Sequence, residues 1–397
     1  MLKGKTIVLA VTGSIAAYKI ANLARMCKKL GADVQVLMTK NAVNFINPIT
    51  FESLTGNKCL IDTFDRNFQY SVEHVALAKK ADVVMIAPAS ANVIGKIANG
   101  IADDMLTTTV MACTCKKIVS PAMNHNMFHN PIVQDNIKKL ASYGYEIIQP
   151  DNGMLANGDT GDGRMPDESV LLWYILRECA FTKDMTGKRV LVTAGATREP
   201  LDPVRFITNH STGKMGYALA ETAMLRGADV TLVTAHTQIA PPPFVEVVRV
   251  TTAQEMYDEV TARFEECDIV VKAAAVADYR PVKVSDNKIK KSNGNMTIEL
   301  ERNPDIIAEL GKRKTHQFLC GFSMETENLV ENSKGKLERK NLDMICANSL
   351  KTEGAGFGTD TNVVTIITRD SITELPCLTK QETANRIFDE ILGYVSC

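Results

Sequence analysis

One building unit occurs twice in this chain, and that repetition restricts the fold more than any other feature. Lys5-Thr6-Ile7-Val8-Leu9-Ala10-Val11-Thr12-Gly13 is echoed by Lys188-Arg189-Val190-Leu191-Val192-Thr193-Ala194-Gly195. Gly31-Ala32-Asp33-Val34-Gln35-Val36-Leu37 is echoed by Gly227-Ala228-Asp229-Val230-Thr231-Leu232-Val233, and Ala81-Asp82-Val83-Val84-Met85-Ile86 by Cys267-Asp268-Ile269-Val270-Val271-Lys272. Each copy is a short β-branched run ending in a turn, then a helix of period 3.6 that stops at glycine. Runs this apolar are strands buried on both faces, hence parallel ones. Their crossovers are right-handed helices. The expected fold is α/β, with two doubly wound Rossmann-like domains built on parallel sheets. Ligands are expected at the C-terminal strand ends.

A length of 397 residues suits two such domains. The polar segment Thr182-Lys183-Asp184-Met185-Thr186-Gly187 reads as the linker between domains at 1–181 and 187–397, after a last helix near 173–180. Residues 150–166 and 284–295 read as long loops, of the kind that serve as lids or binding loops. A net charge of −1 gives no basic field for nucleic acid or a membrane surface. No apolar run approaches the ~20 residues of a membrane span. Met1-Leu2-Lys3-Gly4-Lys5 leads straight into a strand, without a signal peptide, so the ten cysteines read as reduced thiols in a cytoplasm. Cys113-Thr114-Cys115 reads as small buried residues, not a metal site.

In the first half, Gly13-Ser14-Ile15-Ala16-Ala17 opens a helix after strand one. Its free amides and dipole suit a phosphate. Thr39, and Pro88-Ala89-Ser90-Ala91-Asn92, add polar groups at the same sheet edge. Taken singly, each is also explained by turns and caps.

These segments, with His74, Lys96, Asp103-Asp104-Met105-Leu106, Pro121-Ala122-Met123-Asn124 and Gly161-Asp162-Gly163-Arg164-Met165, occur in the order of the flavin-containing cysteine decarboxylases. The first half resembles phosphopantothenoylcysteine decarboxylase in particular, a flavodoxin-like flavoprotein. The resemblance implies FMN, held by Gly13, Ser14, Ile15, Thr39, Ser90, Ala91 and Met105. It implies that His74 acts beside the flavin and that Asn124 binds the substrate carboxylate. Decarboxylation next to an ordinary thiol-bearing carbon needs an electron sink, which FMN supplies. The protein binds, orients and delivers a final proton. The family's acid is a cysteine in Leu-Ala-Cys-Gly, whereas this chain reads Leu155-Ala156-Asn157-Gly158. An amide is no proton donor at useful pH. The expectation is a copy that stalls before the last reduction, unless Asp159 or a water substitutes.

The second half starts like a dinucleotide site, but Gly195-Ala196-Thr197-Arg198-Glu199-Pro200 lacks the three-glycine spacing. Ser211-Thr212-Gly213-Lys214 likewise lacks the phosphate-loop spacing. Arg205-Phe206-Ile207-Thr208-Asn209, the run from Ala273 to Arg280, Lys288-Ile289-Lys290-Lys291, Asn303-Pro304-Asp305-Ile306, Gly321-Phe322 and Lys340-Asn341-Leu342-Asp343 resemble the phosphopantothenate–cysteine ligase half of bacterial bifunctional coenzyme A enzymes. The resemblance implies activation of 4'-phosphopantothenate by CTP with Mg2+, and capture of the acyl-cytidylate by cysteine. Charge on several phosphate oxygens demands cations. Lys288, Lys336 and Lys340 are the candidates. Asp278 is assigned to ribose or Mg2+, Phe322 to the base and Asn209 to the acyl intermediate. Pro304, Asp305, Ile306 and Ile307 are assigned to the nucleotide. The same resemblance implies a homo-oligomer, with trimers through the flavin half, dimers through the ligase half, and a dodecamer as one closed form.

Two other readings are weighed. One is a flavin prenyltransferase-like half fused to an NAD(P)-dependent reductase, against which the missing Gly-x-Gly-x-x-Gly argues. The other is a flavin half that binds a ligand or partner without full turnover, fused to an active ligase.

Overall fold

β1 (Thr6–Val11) is buried at every position, as a central parallel strand must be. In the computed structural model it lies between β2 (Asp33–Met38) and β3 (Val83–Ala89); β4 (Lys116–Pro121) and β5 (Glu146–Ile147) complete a sheet of order β2-β1-β3-β4-β5. Every neighbouring pair is parallel. The structure describes residues 1–63, 73–154, 158, 160–290, 295–325, 328–349 and 358–395, and divides into two units, Met1–Thr182 and Lys183–Cys397.

The helices of the first unit are α1 (Ala17–Lys29), α2 (Pro48–Thr55), α3 (Glu73–Lys80), α4 (Ala91–Ala98), α5 (Met105–Ala112), α6 (His125–Phe128), α7 (Pro131–Ser142) and α8 (Glu168–Cys179). α1 shows why they form. Ala17, Ile20, Leu23, Ala24 and Cys27 make one buried stripe, and Lys28 and Lys29 sit favourably at its carboxyl end. α5 begins with a capping box between Asp104 and Thr107.

Part of the stretch read as a loop at 150–166 is instead a hairpin of β6 (Asp151–Met154) and β7 (Thr160–Arg164). Its glycines permit close approach. A Cβ on Gly161 would meet the His125 ring at 2.6 Å, and one on Gly163 would meet the Met123 carbonyl at 2.3 Å.

The second unit runs β8 (Arg189–Ala194), a hairpin of β9 (Arg198–Pro200) and β10 (Phe206–Thr208), α9 (Lys214–Leu225), β11 (Asp229–Thr234), β12 (Glu246–Arg249), α10 (Ala253–Arg263) and β13 (Ile269–Lys272). It continues through a hairpin of β14 (Tyr279–Pro281) and β15 (Leu300–Arg302), α11 (Ile306–Arg313), β16 (Phe318–Glu325), α12 (Leu329–Arg339) and β17 (Met344–Ser349). It ends with β18 (Thr361–Asn362), β19 (Val364–Thr368), β20 (Ile372–Glu374), β21 (Leu378–Thr379) and α13 (Lys380–Val395).

The main sheet has the order β12-β11-β8-β13-β16-β17-β19-β20. It departs from the all-parallel expectation at one edge, where β17–β19 and β19–β20 are antiparallel. Only a tight turn separates β19 from β20, too short for the crossover a parallel pair requires.

The supposed linker belongs largely to this second unit. Met185 is fully buried and its amide donates to the Arg226 carbonyl at 3.1 Å. The Arg226 guanidinium is buried and pairs with Asp184 at 2.6 Å and Asp389 at 2.7 Å. A segment polar in composition is therefore fixed by charge pairing. Among the described residues, no helix is long and apolar enough to cross a membrane.

Candidate active sites

In the first unit the polar residues at the sheet's C-terminal edge brace one another. The Thr12 hydroxyl donates to the Pro88 carbonyl at 2.6 Å and accepts from the Ser90 amide at 2.9 Å. Ser90 caps α4, its hydroxyl accepting from the Val93 amide, and Ala91 is the helix's first residue. Thr39 is buried, and its hydroxyl accepts from the Ala42 amide at 3.2 Å. Gly13 is required by the neighbouring loop, because a Cβ there would lie 2.9 Å from Asn41 Cβ.

Beside this edge lies a cavity of about 590 Å³. Its walls are the first turn of α1 with Ser14, Ile15, Tyr18 and Lys19; Ala122, Met123 and Asn124 after β4; and Met154, Gly163, Arg164 and Met165. Volumes of this order are typical of cofactor sites. The Met123 amide donates to the Gly163 carbonyl at 3.1 Å, which seats the hairpin on the Asn124 turn. Lys19 donates to the Met165 carbonyl at 3.2 Å and pairs with Asp167 at 3.0 Å, holding the Arg164-Met165 element against α1. Asn124 caps α6 through Oδ1, which accepts from the Asn126 amide at 2.9 Å. That leaves the side-chain NH2 as a donor, the polarity a carboxylate needs.

His74 is half-buried on α3 and does not line this cavity. Met105 is a core residue packed among Ile86, Val93 and Leu106, so its side chain is not at the cavity wall. Asn157 lies outside the described residues.

In the second unit a cavity of about 180 Å³ opens at the C-terminal ends of β13, β16 and β17. Ser211–Lys214, Ala273–Ala275, Phe322, Asn348 and Lys380 are among its lining residues. Phe322 is half-buried at the wall, and Asn209 donates to the Ala275 carbonyl at 3.3 Å. Lys214 donates to the Gly358 carbonyl at 2.7 Å and pairs with Asp360 at 2.6 Å. Asn348 Oδ1 is buried with no hydrogen-bond partner among the described residues, as is Asn303 Oδ1, next to Pro304. Asn348 lines the cavity, where an orphaned acceptor calls for a donor from a ligand or water.

A second polar group surrounds Asp305. Its carboxylate caps α11 by accepting from the Ala308 amide at 3.2 Å, and it pairs with Lys340 at 2.8 Å. Burial raises its pKa and Lys340 outweighs that, so the net direction is down. Lys272, at the end of β13, is pushed down to about 8 by burial and by Lys340, against the pull of Asp305 and Asp278. Asp278 itself is exposed. Lys336 is half-buried one turn before Lys340. Ile306 and Ile307 are buried in the core, so their side chains serve packing.

Lys288 is exposed in the loop between β14 and β15. Asp202 anchors that loop, accepting from the Ile289 amide at 3.1 Å, and Arg205 donates to the Ile289 carbonyl at 3.2 Å. Burial raises the Asp202 pKa, and the amides of Val204, Ile289 and Arg205 carry it below its ordinary value. Lys291 lies outside the described residues.

The Flavoprotein family model matches residues 1–179, and that of the DNA/pantothenate metabolism flavoprotein C-terminal domain matches residues 185–394. Over 397 residues the chain is 44% identical to the coenzyme A biosynthesis bifunctional protein CoaBC of Bacillus subtilis, covering 98% of this chain and 97% of that protein. This chain belongs to the CoaBC family. The CoaBC protein of Haemophilus influenzae is 41% identical over 392 residues, covering 98% of each. Among solved structures, a C-terminal domain of CoaBC is 44% identical and covers 54% of this chain and 99% of its own, with a TM-score of 0.47. A PPC decarboxylase mutant complexed with pantothenoylaminoethenethiol is 32% identical and covers 43% and 96%, with a TM-score of 0.39.

As a CoaBC protein, this is a bifunctional enzyme of coenzyme A biosynthesis, a flavoprotein decarboxylase joined to a ligase. Sequence reasoning missed Lys272, Asn348 and Lys380. One signal was available: Lys272 stands where the first half of the repeat has Ile86.

Proposed function

We propose that the second unit of this CoaBC protein joins cysteine to 4'-phosphopantothenate at the expense of CTP. The first unit then decarboxylates the product with FMN. The observation that carries the first-unit reading is the cavity bounded by the first turn of α1 at one side and by Asn124 at the other. α1 has no acidic residue in its first turn to oppose a phosphate, and the methionines 123, 154 and 165 offer an apolar wall for a flat ring. These features fit FMN. Ser14 and Ile15 would hold its phosphate end, with Gly13, Thr39, Ser90 and Ala91 shaping the sheet edge beside it. When bound, FMN supplies the electron sink for loss of CO2. Asn124 would orient the substrate carboxylate through its NH2, and His74 would act from α3.

In the second unit, Asn348, Phe322 and Lys214 support a site for a nucleotide and its acyl adduct. Lys340, Lys336 and Lys288 would neutralise the phosphates, with Asp278 serving Mg2+ or ribose and Asn209 the acyl intermediate. The exposed Ile15 and Tyr18 at the cavity rim support burial by a second copy, and we read the protein as a cytoplasmic homo-oligomer.

The decisive experiment measures pyrophosphate release from CTP with Mg2+, 4'-phosphopantothenate and cysteine. Sustained release that requires all three substrates is expected, with at most about one equivalent per site when cysteine alone is left out, because pyrophosphate leaves as the acyl-cytidylate forms. Release with neither cysteine nor phosphopantothenate, or none at all, overturns the ligase assignment.

A further inference from the structure

We propose that His125, His129 and Asp162 form a binding site for one divalent transition-metal cation of the zinc class. His125 opens α6 and His129 follows one helical turn later, so their imidazoles lie on the same side of that turn. Asp162 comes from β7 on the facing hairpin. One ligating atom from each residue lies within 4.8 Å of the other two.

The three residues already hold one another. His129 Nε2 is 3.0 Å from Asp162 Oδ2, and the Asp162 amide donates to His125 Nδ1 at 3.2 Å. Asn152 donates to the other carboxylate oxygen at 2.9 Å. It fixes the carboxylate as an outer partner of a ligand does. Two imidazole nitrogens and one carboxylate oxygen are a donor set that suits zinc and leaves one position for water.

Metal–ligand bonds of about 2.1 Å place tetrahedral donors about 3.4 Å apart, so the side chains must draw in by roughly an ångström. His129 is exposed and free to make that adjustment, while His125 and Asp162 are half-buried.

The location gives the ion a purpose. His125 follows Asn124, and Asp162 precedes Gly163, both of which line the larger cavity. A bound cation would replace hydrogen bonds by coordinate bonds between the Asn124 turn and the hairpin.

The test titrates the metal-stripped, full-length protein with Co2+, following its visible absorption, and then displaces it with Zn2+. The expected result is one saturable site of nitrogen–oxygen character. His125→Ala and His129→Ala should each weaken it by at least about tenfold. Circular dichroism checks that each variant is folded. Absence of a saturable site overturns the proposal. So does unchanged affinity in either variant, or a sulfur-to-cobalt band showing that thiols such as Cys115 or Cys377 take the ion.

Discussion

Lys340 Nζ lies 2.8 Å from Asp305 Oδ2, an ion pair that joins the residue after α12 to the N-cap of α11. Asp305 thus carries a cap and a counter-ion at once, and it holds a cation at the end of a helix.

On the proposed ligase reading, Lys340→Ala is expected to raise the KM for CTP by about tenfold, with a smaller fall in kcat, because it removes a cation and leaves the Asp305 carboxylate without its counter-ion. Steady-state pyrophosphate release against CTP concentration reads this directly. An unchanged KM would mean that the lysine serves α11 alone.

Lys272 makes the stability of the second unit depend on pH. Its ammonium is shifted down to about 8, from an ordinary 10.5, by burial and Lys340. Below pH 8 the folded state carries this half-buried charge at a cost. Between about pH 8 and 10.5 the unfolded chain holds a proton that the folded chain has lost, so this residue's contribution to stability rises with pH. Lys272→Met should therefore raise the urea midpoint at pH 7, and its advantage should shrink by pH 10. An equal advantage at both pH values would contradict the shift.

Gly163 has φ of +132°, and a Cβ there would press on the Met123 carbonyl at 2.3 Å. Gly163→Ala should lift the hairpin from the Asn124 turn, at a cost of roughly 2 kcal/mol or more. The purified variant should then retain several-fold less flavin, read as visible absorbance per protein. Full flavin retention would show that the hairpin does not shape the cofactor cavity.

Asn157 offers no proton. Anaerobic incubation with excess phosphopantothenoylcysteine should stop after about one equivalent per flavin of a product two hydrogens short of 4'-phosphopantetheine, with the flavin left reduced and its absorbance bleached. Asn157→Cys should restore the fully reduced product. If the unaltered protein already makes it, Asp159 or a water delivers the proton instead.

Several features were not legible from composition. Thr182 to Gly187 is polar and contains glycine, yet Asp184 and Met185 are bound into the second unit through Arg226. The hairpin β6–β7 hides in a glycine-rich stretch because its support comes from Met123 and His125, distant in sequence. The antiparallel edge at β19 and β20 lies outside the internal repeat, because the first half has no counterpart to it. Met105, Ile306 and Ile307 belong to segments whose motifs suggest ligand contact, but burial assigns their side chains to the core.

The sequence by itself determined the alternation of strand, turn and helix, the division into two similar halves and the family motifs. These are local patterns of apolar period and glycine placement. Only the tertiary structure decided that Lys214, Asn348 and Lys380 share one cavity, that Lys272 and Lys340 influence the same carboxylate, and that two histidines meet Asp162. Those meetings follow from the order of strands in the sheet and from loop closure. Both bring together residues far apart along the chain, which no window of sequence spans.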